Sequence, residues 1–143
     1  MNLKRVVVTG IGALTPIGNT KDEFWKGLAS GVSGAAPITH FDASLFKTQF
    51  ACELKNFDVE QFIERKEARK MDPFTQYAMV AADEAMIYSG LNLETLDLSR
   101  AGVLWGSGIG GIKTFQDEVT AFNQWDGTPR FNPFFIPNMI ADI

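Results

Sequence analysis

Cys52 and His40 are the only cysteine and the only histidine in this chain, and they are the first residues to weigh as chemical groups. A catalytic thiol is normally activated by a helix N-terminus or by a neighbouring base or cation. Cys52 stands between Ala51 and Glu53 with no base adjacent in sequence, in a stretch with strand character. It therefore reads as a buried structural cysteine. His40, beside Phe41 and Asp42, reads as a structural hydrogen-bonding residue. A single cysteine excludes an internal disulfide and any cysteine-based metal cluster. One cysteine and one histidine leave the chain little equipment of its own for nucleophilic or acid–base catalysis.

Two glycine-rich stretches and one basic cluster are the other candidates. Gly106-x-Gly108-x-x-Gly111 fits the spacing of a dinucleotide loop and lies between an expected strand and an expected helix. No βαβ unit is evident around it, however. Gly10-x-Gly12 has Thr15 where the third glycine belongs, and neither loop carries the Lys-Ser/Thr of a phosphate-binding P-loop. Glycines that let backbone turn closely beside a sheet account for both. In Arg65-Lys66-Glu67-Ala68-Arg69-Lys70, residues 65 and 69 lie four apart, as do 66 and 70, so both pairs fall on adjacent helical rows. Such a ridge is either a solvated helix face, with its charges suited to the helix dipole, or a docking surface for an acidic partner.

The elements that must position these residues follow from periodicity. Val6-Val7-Val8-Thr9, apolar throughout and halted by Gly10, predicts a strand buried on both faces. Thr20 with Glu23 predicts a capped helix whose buried stripe is Phe24, Trp25 and Leu28, stopping at Gly31. Residues 31–57 read as loop with one or two short strands near Phe50 to Leu54. Asp58, with Gln61 three residues on, opens a helix that carries the basic cluster. Asp72 and Pro73 open a second, ending at Gly90, whose alanines (Ala78, Ala81, Ala85) imply close packing against another element. Ala101 to Gly106 reads as a second buried strand. Phe115, Val119 and Phe122 mark a further helix, Asp126 to Pro129 a turn, Pro133 to Pro137 an aromatic extended segment, and a helical start at Pro137 runs to Ile143. Strands alternating with helices indicate a layered α/β fold, here with too few strands for a whole sheet.

Composition narrows the function classes. The 143 residues are 45% hydrophobic and 21% charged, as in ordinary globular proteins, which excludes a disordered or low-complexity chain. A net charge of −4 argues against a nucleic-acid partner. No segment approaches the roughly 20 apolar residues of a membrane span. The amino terminus lacks a signal-peptide core, which predicts a cytoplasmic protein. Twelve phenylalanines are a high count, and their aromatic surface must be buried in the core or at a subunit contact, a natural place for part of it.

Four collinear motifs then resemble one family, the β-ketoacyl-acyl-carrier-protein synthases, and its type II in particular. They are Val6-Val7-Val8-Thr9-Gly10-Ile11-Gly12 with Thr15-Pro16-Ile17-Gly18-Asn19, Arg65 to Ala78, Gly106-Ser107-Gly108-Ile109-Gly110-Gly111, and Pro133-Phe134-Phe135-Ile136-Pro137. The resemblance covers essentially the whole chain. It implies a thiolase-like layered α/β fold of which residues 1–143 are the amino-terminal portion, truncated before the nucleophile motif. It implies fatty-acid elongation by decarboxylative condensation of an acyl thioester with malonyl-acyl-carrier protein, with no cofactor, no metal, and a homodimer when full length. The family's catalytic cysteine, histidines and lysine match no residue of this chain, so the chain alone is expected to be inert.

The resemblance also assigns residues. Ile109 matches a position that lines and gates the acyl pocket, and Phe135 an aromatic that reaches the pocket across the dimer. Lys66, Arg69, Lys70 and Arg130 match basic contacts to the acyl carrier protein. Phe131 replaces a usually basic position, and Asn132 a common serine. The alternatives are a polyketide-type ketosynthase or chain-length factor of the same fold, a nucleotide-binding module using Gly106–Gly111, and a non-catalytic interaction fragment.

Overall fold

The computed structural model describes residues 4–127 and 130–140. In chain order the elements are α1 (Lys21–Ala29), β1 (Ala36–Pro37), β2 (Phe50–Ala51), a 3-10 turn (Val59–Gln61), α2 (Arg65–Ala68), α3 (Pro73–Ser89), a second 3-10 turn (Leu98–Arg100), α4 (Ile112–Gln124) and α5 (Phe135–Met139). They form two compact units. The first runs up to Phe57 and includes Val80–Leu96; the second comprises Asp58–Met79 and the chain from Asp97 onward.

In the first unit the Thr20 hydroxyl accepts the Glu23 amide at 3.2 Å, as the capping pattern predicts. The reciprocal half differs, because the Glu23 carboxylate accepts from the Asn19 amide at 2.8 Å and not from Thr20. Gly31 ends the helix with φ +66, a left-handed conformation that glycine adopts without strain. The stripe expected to be buried is half open: Trp25 is 69% and Leu28 50% exposed. Glu84 on α3 braces this unit, accepting the Ala13 amide at 2.8 Å and the Lys21 amide at 2.9 Å on its two carboxylate oxygens. One side chain thus holds both the segment that follows Gly10–Gly12 and the first turn of α1. The alanine face of α3 packs as predicted: the backbone at Gly10 and Gly12 lies directly on Ala85 and Ala81. β1 and β2 pair antiparallel, Ala36 with Ala51 and Pro37 with Phe50.

In the second unit Asp72 and Pro73 start α3 as expected, the Asp72 carboxylate accepting the Phe74 amide at 3.3 Å. α4 follows the Phe115–Val119–Phe122 period, and α5 packs against it. The expected aromatic extended segment is instead a turn leading into α5, whose first residue is Phe135, two residues before Pro137. Proline at the third position of a short helix is tolerated because its missing amide would have no intrahelical acceptor. Thr128 and Pro129 of the expected turn, and residues 141–143 of the expected terminal helix, lie outside the described residues.

The two strands expected at Val6–Thr9 and Ala101–Gly106 are not strands here. Val6 and Val8 are 91% and 80% exposed, Val103 and Leu104 94% and 99%. A strand buried on both faces needs ladder partners on its edges, and no described residue pairs with either segment. Apolar composition specifies what such a segment can do; pairing requires neighbours. Only Ala43, Ala68 and Val80 are buried hydrophobic residues among those described.

Candidate functional site

The basic cluster forms on a shorter helix than its period suggests. Asp58 caps the 3-10 turn, accepting the Glu60 amide at 3.0 Å, and the chain restarts as α2 only at Arg65. Arg69 is the C-cap, still helical at φ −67, ψ −16, and Lys70 lies beyond it. The row of Arg65 and Arg69 therefore forms, while the row of Lys66 and Lys70 is cut, and Lys70 turns back onto Glu67 at 2.6 Å. That hydrogen bond from Lys70 holds the Glu67 carboxyl below the usual range. Arg65 pairs with Glu60 at 3.1 Å. Lys66 and Arg69 are exposed and have no ion-pair partner among the described residues. The uncompensated charge of the ridge is thus concentrated on those two. Gln76 fixes the ridge to α3, its amide donating to the Ala68 carbonyl at 2.8 Å and the Met71 carbonyl at 3.1 Å.

The glycine loop is anchored at one end and open at the other. Gly110 has φ +79, and its amide donates to the Ser107 hydroxyl at 3.1 Å. Gly111 is buried; its amide donates to the Met139 carbonyl at 2.9 Å, and the Ile112 amide to the Gly110 carbonyl at 3.0 Å. A phosphate cradle needs such amides free to point at a ligand. Three successive ones are spent internally, so the loop does not have the form of a dinucleotide site. Ile109, between these anchors, is 75% exposed.

Phe135 lies in an aromatic ladder on α4 and α5. It stacks with Phe131 at 5.3 Å and Phe115 at 6.3 Å between centroids, and Phe131 stacks with Phe122 at 5.0 Å. Phe131, standing where the family resemblance expects a basic residue, is used as the middle of this ladder. Arg130 sits over the Trp125 ring at 5.0 Å, a cation–π contact that leaves the side chain exposed.

The remaining sequence candidates carry no site. Cys52 is exposed, not buried as expected, because the two-residue ladder is too short to cover it. The His40 ring is 71% exposed and 3.9 Å from Glu53. Glu53 is the organising group there, accepting the Thr39 hydroxyl at 2.7 Å, which lowers its carboxyl from the usual range. No group of three or more His, Cys, Asp or Glu side chains is placed to hold a metal among the described residues. No helix among them is long and apolar enough to cross a membrane.

Sequence reasoning missed the partner of Asp72. This carboxylate is 6% exposed, and besides capping α3 it accepts the Thr114 hydroxyl at 2.6 Å from the first turn of α4. The cap was legible; a threonine 42 residues away gives no signal of it.

Comparison with known proteins agrees from end to end. The chain is 47% identical over 140 residues to a protein named 3-oxoacyl-[acyl-carrier-protein] synthase 2 from Synechocystis sp., covering 98% of this chain and 33% of that protein. A protein of the same name from Vibrio cholerae is 43% identical over 143 residues, covering all of this chain and 34% of that protein. The chain thus spans about a third of the length of the curated relatives it matches. Among solved structures, the ishigamide ketosynthase/chain length factor superposes with a TM-score of 0.76 at 27% identity, covering 94% of this chain and 34% of that one. A type II polyketide ketosynthase solved with its acyl-carrier protein gives 0.75 at 29% identity, covering 96% and 35%. The layered α/β reading of the sequence agrees with these neighbours. The family model for the N-terminal domain of β-ketoacyl synthases matches residues 3–143, and the chain belongs to that family.

Proposed function

We propose that residues 1–143 form the amino-terminal portion of a type II β-ketoacyl-acyl-carrier-protein synthase that elongates fatty acids. The observation that carries this reading is the match from residue 3 to residue 143, at 43–47% identity, to relatives named as such synthases. The polyketide neighbours share the fold at 27–29% identity, which favours fatty-acid elongation over the polyketide alternative. In the reaction an acyl group moves from its carrier to a cysteine thiolate. Malonyl-carrier protein then loses carbon dioxide, and the carbanion attacks the acyl thioester, returning the thiolate. On this reading the thiolate and its oxyanion hole belong to the part of the relatives' length that this chain does not match.

The part played by this chain is recognition. Lys66 and Arg69, unpaired and exposed, form the main docking charges for an acidic carrier protein, with Lys70 and Arg130 beside them. Ile109 lines the mouth of the acyl pocket. Phe135 and its ladder belong to a homodimer face, which suits an aromatic surface of which Phe115, Phe122 and Phe131 are each 40–48% exposed. The bare apolar segments at Val6–Val8 and Val103–Leu104 are covered by the rest of the synthase, in the cytoplasm.

Assay of the full-length protein with acyl- and malonyl-carrier protein tests the reading: carbon dioxide and β-ketoacyl product should form in equal amounts. Absence of product with fatty-acyl primers rejects it. The 143-residue chain alone should show no turnover, and turnover abolished by Cys52→Ala would place the nucleophile inside it after all. In the full-length enzyme, Ile109→Phe adds bulk at an exposed loop position. It should cut kcat/KM for long acyl primers by about tenfold, the scale at which a few carbon atoms alter fit in an apolar pocket, with malonyl decarboxylation little changed. An unaltered chain-length profile removes Ile109 from the pocket.

A further inference from the structure

We infer that Asp72 and Thr114 are positioning residues that set the glycine loop carrying Ile109, and so determine how sharply the enzyme discriminates acyl chains. The inference rests on the proposed synthase function for its substrate and on the geometry for the tether itself.

Asp72 is buried and uses each carboxylate oxygen for a different element. Oδ1 accepts the Phe74 amide at 3.3 Å and so belongs to the cap of α3. Oδ2 accepts the Thr114 hydroxyl at 2.6 Å, reaching the first turn of α4. A hydrogen bond to an ionised acceptor is about twice as strong as a neutral one, and its short length fits that class. The same Oδ2 lies 2.9 Å from where a Cβ on Gly111 would stand, with the Asn138 carbonyl at 2.5 Å and the Met139 Cα at 2.9 Å on the other sides. Gly111 is therefore clamped between Asp72 and α5, and its amide is bonded to Met139. It is the last residue of the loop whose exposed part is Ile109.

A continuous set of short bonds thus runs from the basic ridge to the loop. Gln76 holds the C-terminal end of α2 on the start of α3. Asp72, at that start, holds α4 through Thr114, and α4 begins at the loop. This set acts through the loop it holds. Its effect on the reaction is to fix where Ile109 stands, so that acyl chains meet one defined mouth.

Thr114→Val removes the hydroxyl while keeping shape and leaving the α3 cap intact. Loss of one charge-assisted bond should raise amide hydrogen exchange at Gly110–Ile112, the bonded amides of the loop, by about tenfold. In the full-length enzyme the ratio of kcat/KM between long and short acyl primers should flatten by about fivefold, with malonyl decarboxylation held within about twofold. Thr114→Ser, which restores the hydroxyl, should return both readings to wild type. Asp72→Asn keeps the cap without the charge and should move both in the same direction by less. Glu84→Gln serves as a control, because it weakens the brace in the other unit. Loop exchange and primer ratio unchanged in Thr114→Val overturn the inference, as does an equal rise of loop exchange in Glu84→Gln. A wild-type protein that makes no β-ketoacyl product rejects the synthase reading and the chain-length role with it, while loop exchange still decides whether the tether exists.

Discussion

Reversing the ridge charges together, Lys66→Glu, Arg69→Glu and Lys70→Glu, should raise the KM of the full-length enzyme for carrier-bound substrate about tenfold, the sum of several exposed pairs of 0.2–1 kcal/mol each. A small acyl thioester that never reaches the ridge should be used as before. The three positions are not equal. Lys70 already spends its charge on Glu67 at 2.6 Å, so a partner must compete for it. Lys66 and Arg69 have no such partner among the described residues, and each single reversal there should outweigh Lys70→Glu. Most of the effect should lie in association, because exposed charges act by steering. The salt dependence of KM should therefore weaken in the triple variant, since added salt has less attraction left to screen. Equal use of both substrates by the triple variant would mean that the ridge is only a solvated face.

The ridge also shows how much the sequence could disclose. Residue types and spacing gave a basic helix, and the collinear motifs gave the family, but neither showed that Glu60 and Glu67 neutralise half the cluster. Those pairings depend on where α2 begins and ends. Asp58 acts as a cap, as its residue type predicts, but of a 3-10 turn, and the basic residues follow on a separate single α-turn. Local caps at Thr20, Asp72 and Gly31 were legible because each acts within a few residues. The valines at 6–8 have the composition of a strand yet form none, because β pairing is a property of neighbours, which apolar composition invites but cannot supply. The site divides in the same way. Ile109, Phe135 and the basic residues came from motif matches, whereas Thr114 and Glu84 act across 42 to 71 residues of sequence and leave no local trace.

Gly12→Ala is expected to be the most damaging single methyl in the first unit, costing about 3 kcal/mol, the upper range for overpacking. A Cβ at this position would overlap the carbonyl oxygen of Ala81 and stand 2.9 Å from both the Ala81 carbonyl carbon and the Ala85 amide nitrogen. These are backbone atoms in the middle of α3, so no rotamer change can relieve them. The glycine segment cannot easily retreat either, because the next residue is tied to the same helix by the 2.8 Å bond from the Ala13 amide to Glu84. Moving away would break that bond and leave the carboxylate holding only the Lys21 amide. Gly31→Ala is the comparison that separates space from conformation. Its added methyl meets nothing within 4 Å, but φ is +66, so only the left-handed penalty of about 1 kcal/mol applies. Thermal unfolding of the full-length protein, with limited proteolysis around α1, should therefore rank Gly12→Ala well below Gly31→Ala. Equal midpoints would mean that the Gly10–Gly12 segment does not lie on α3 as closely as described. A milder effect at Gly12 than at Gly31 would mean that the loop is free to lift away.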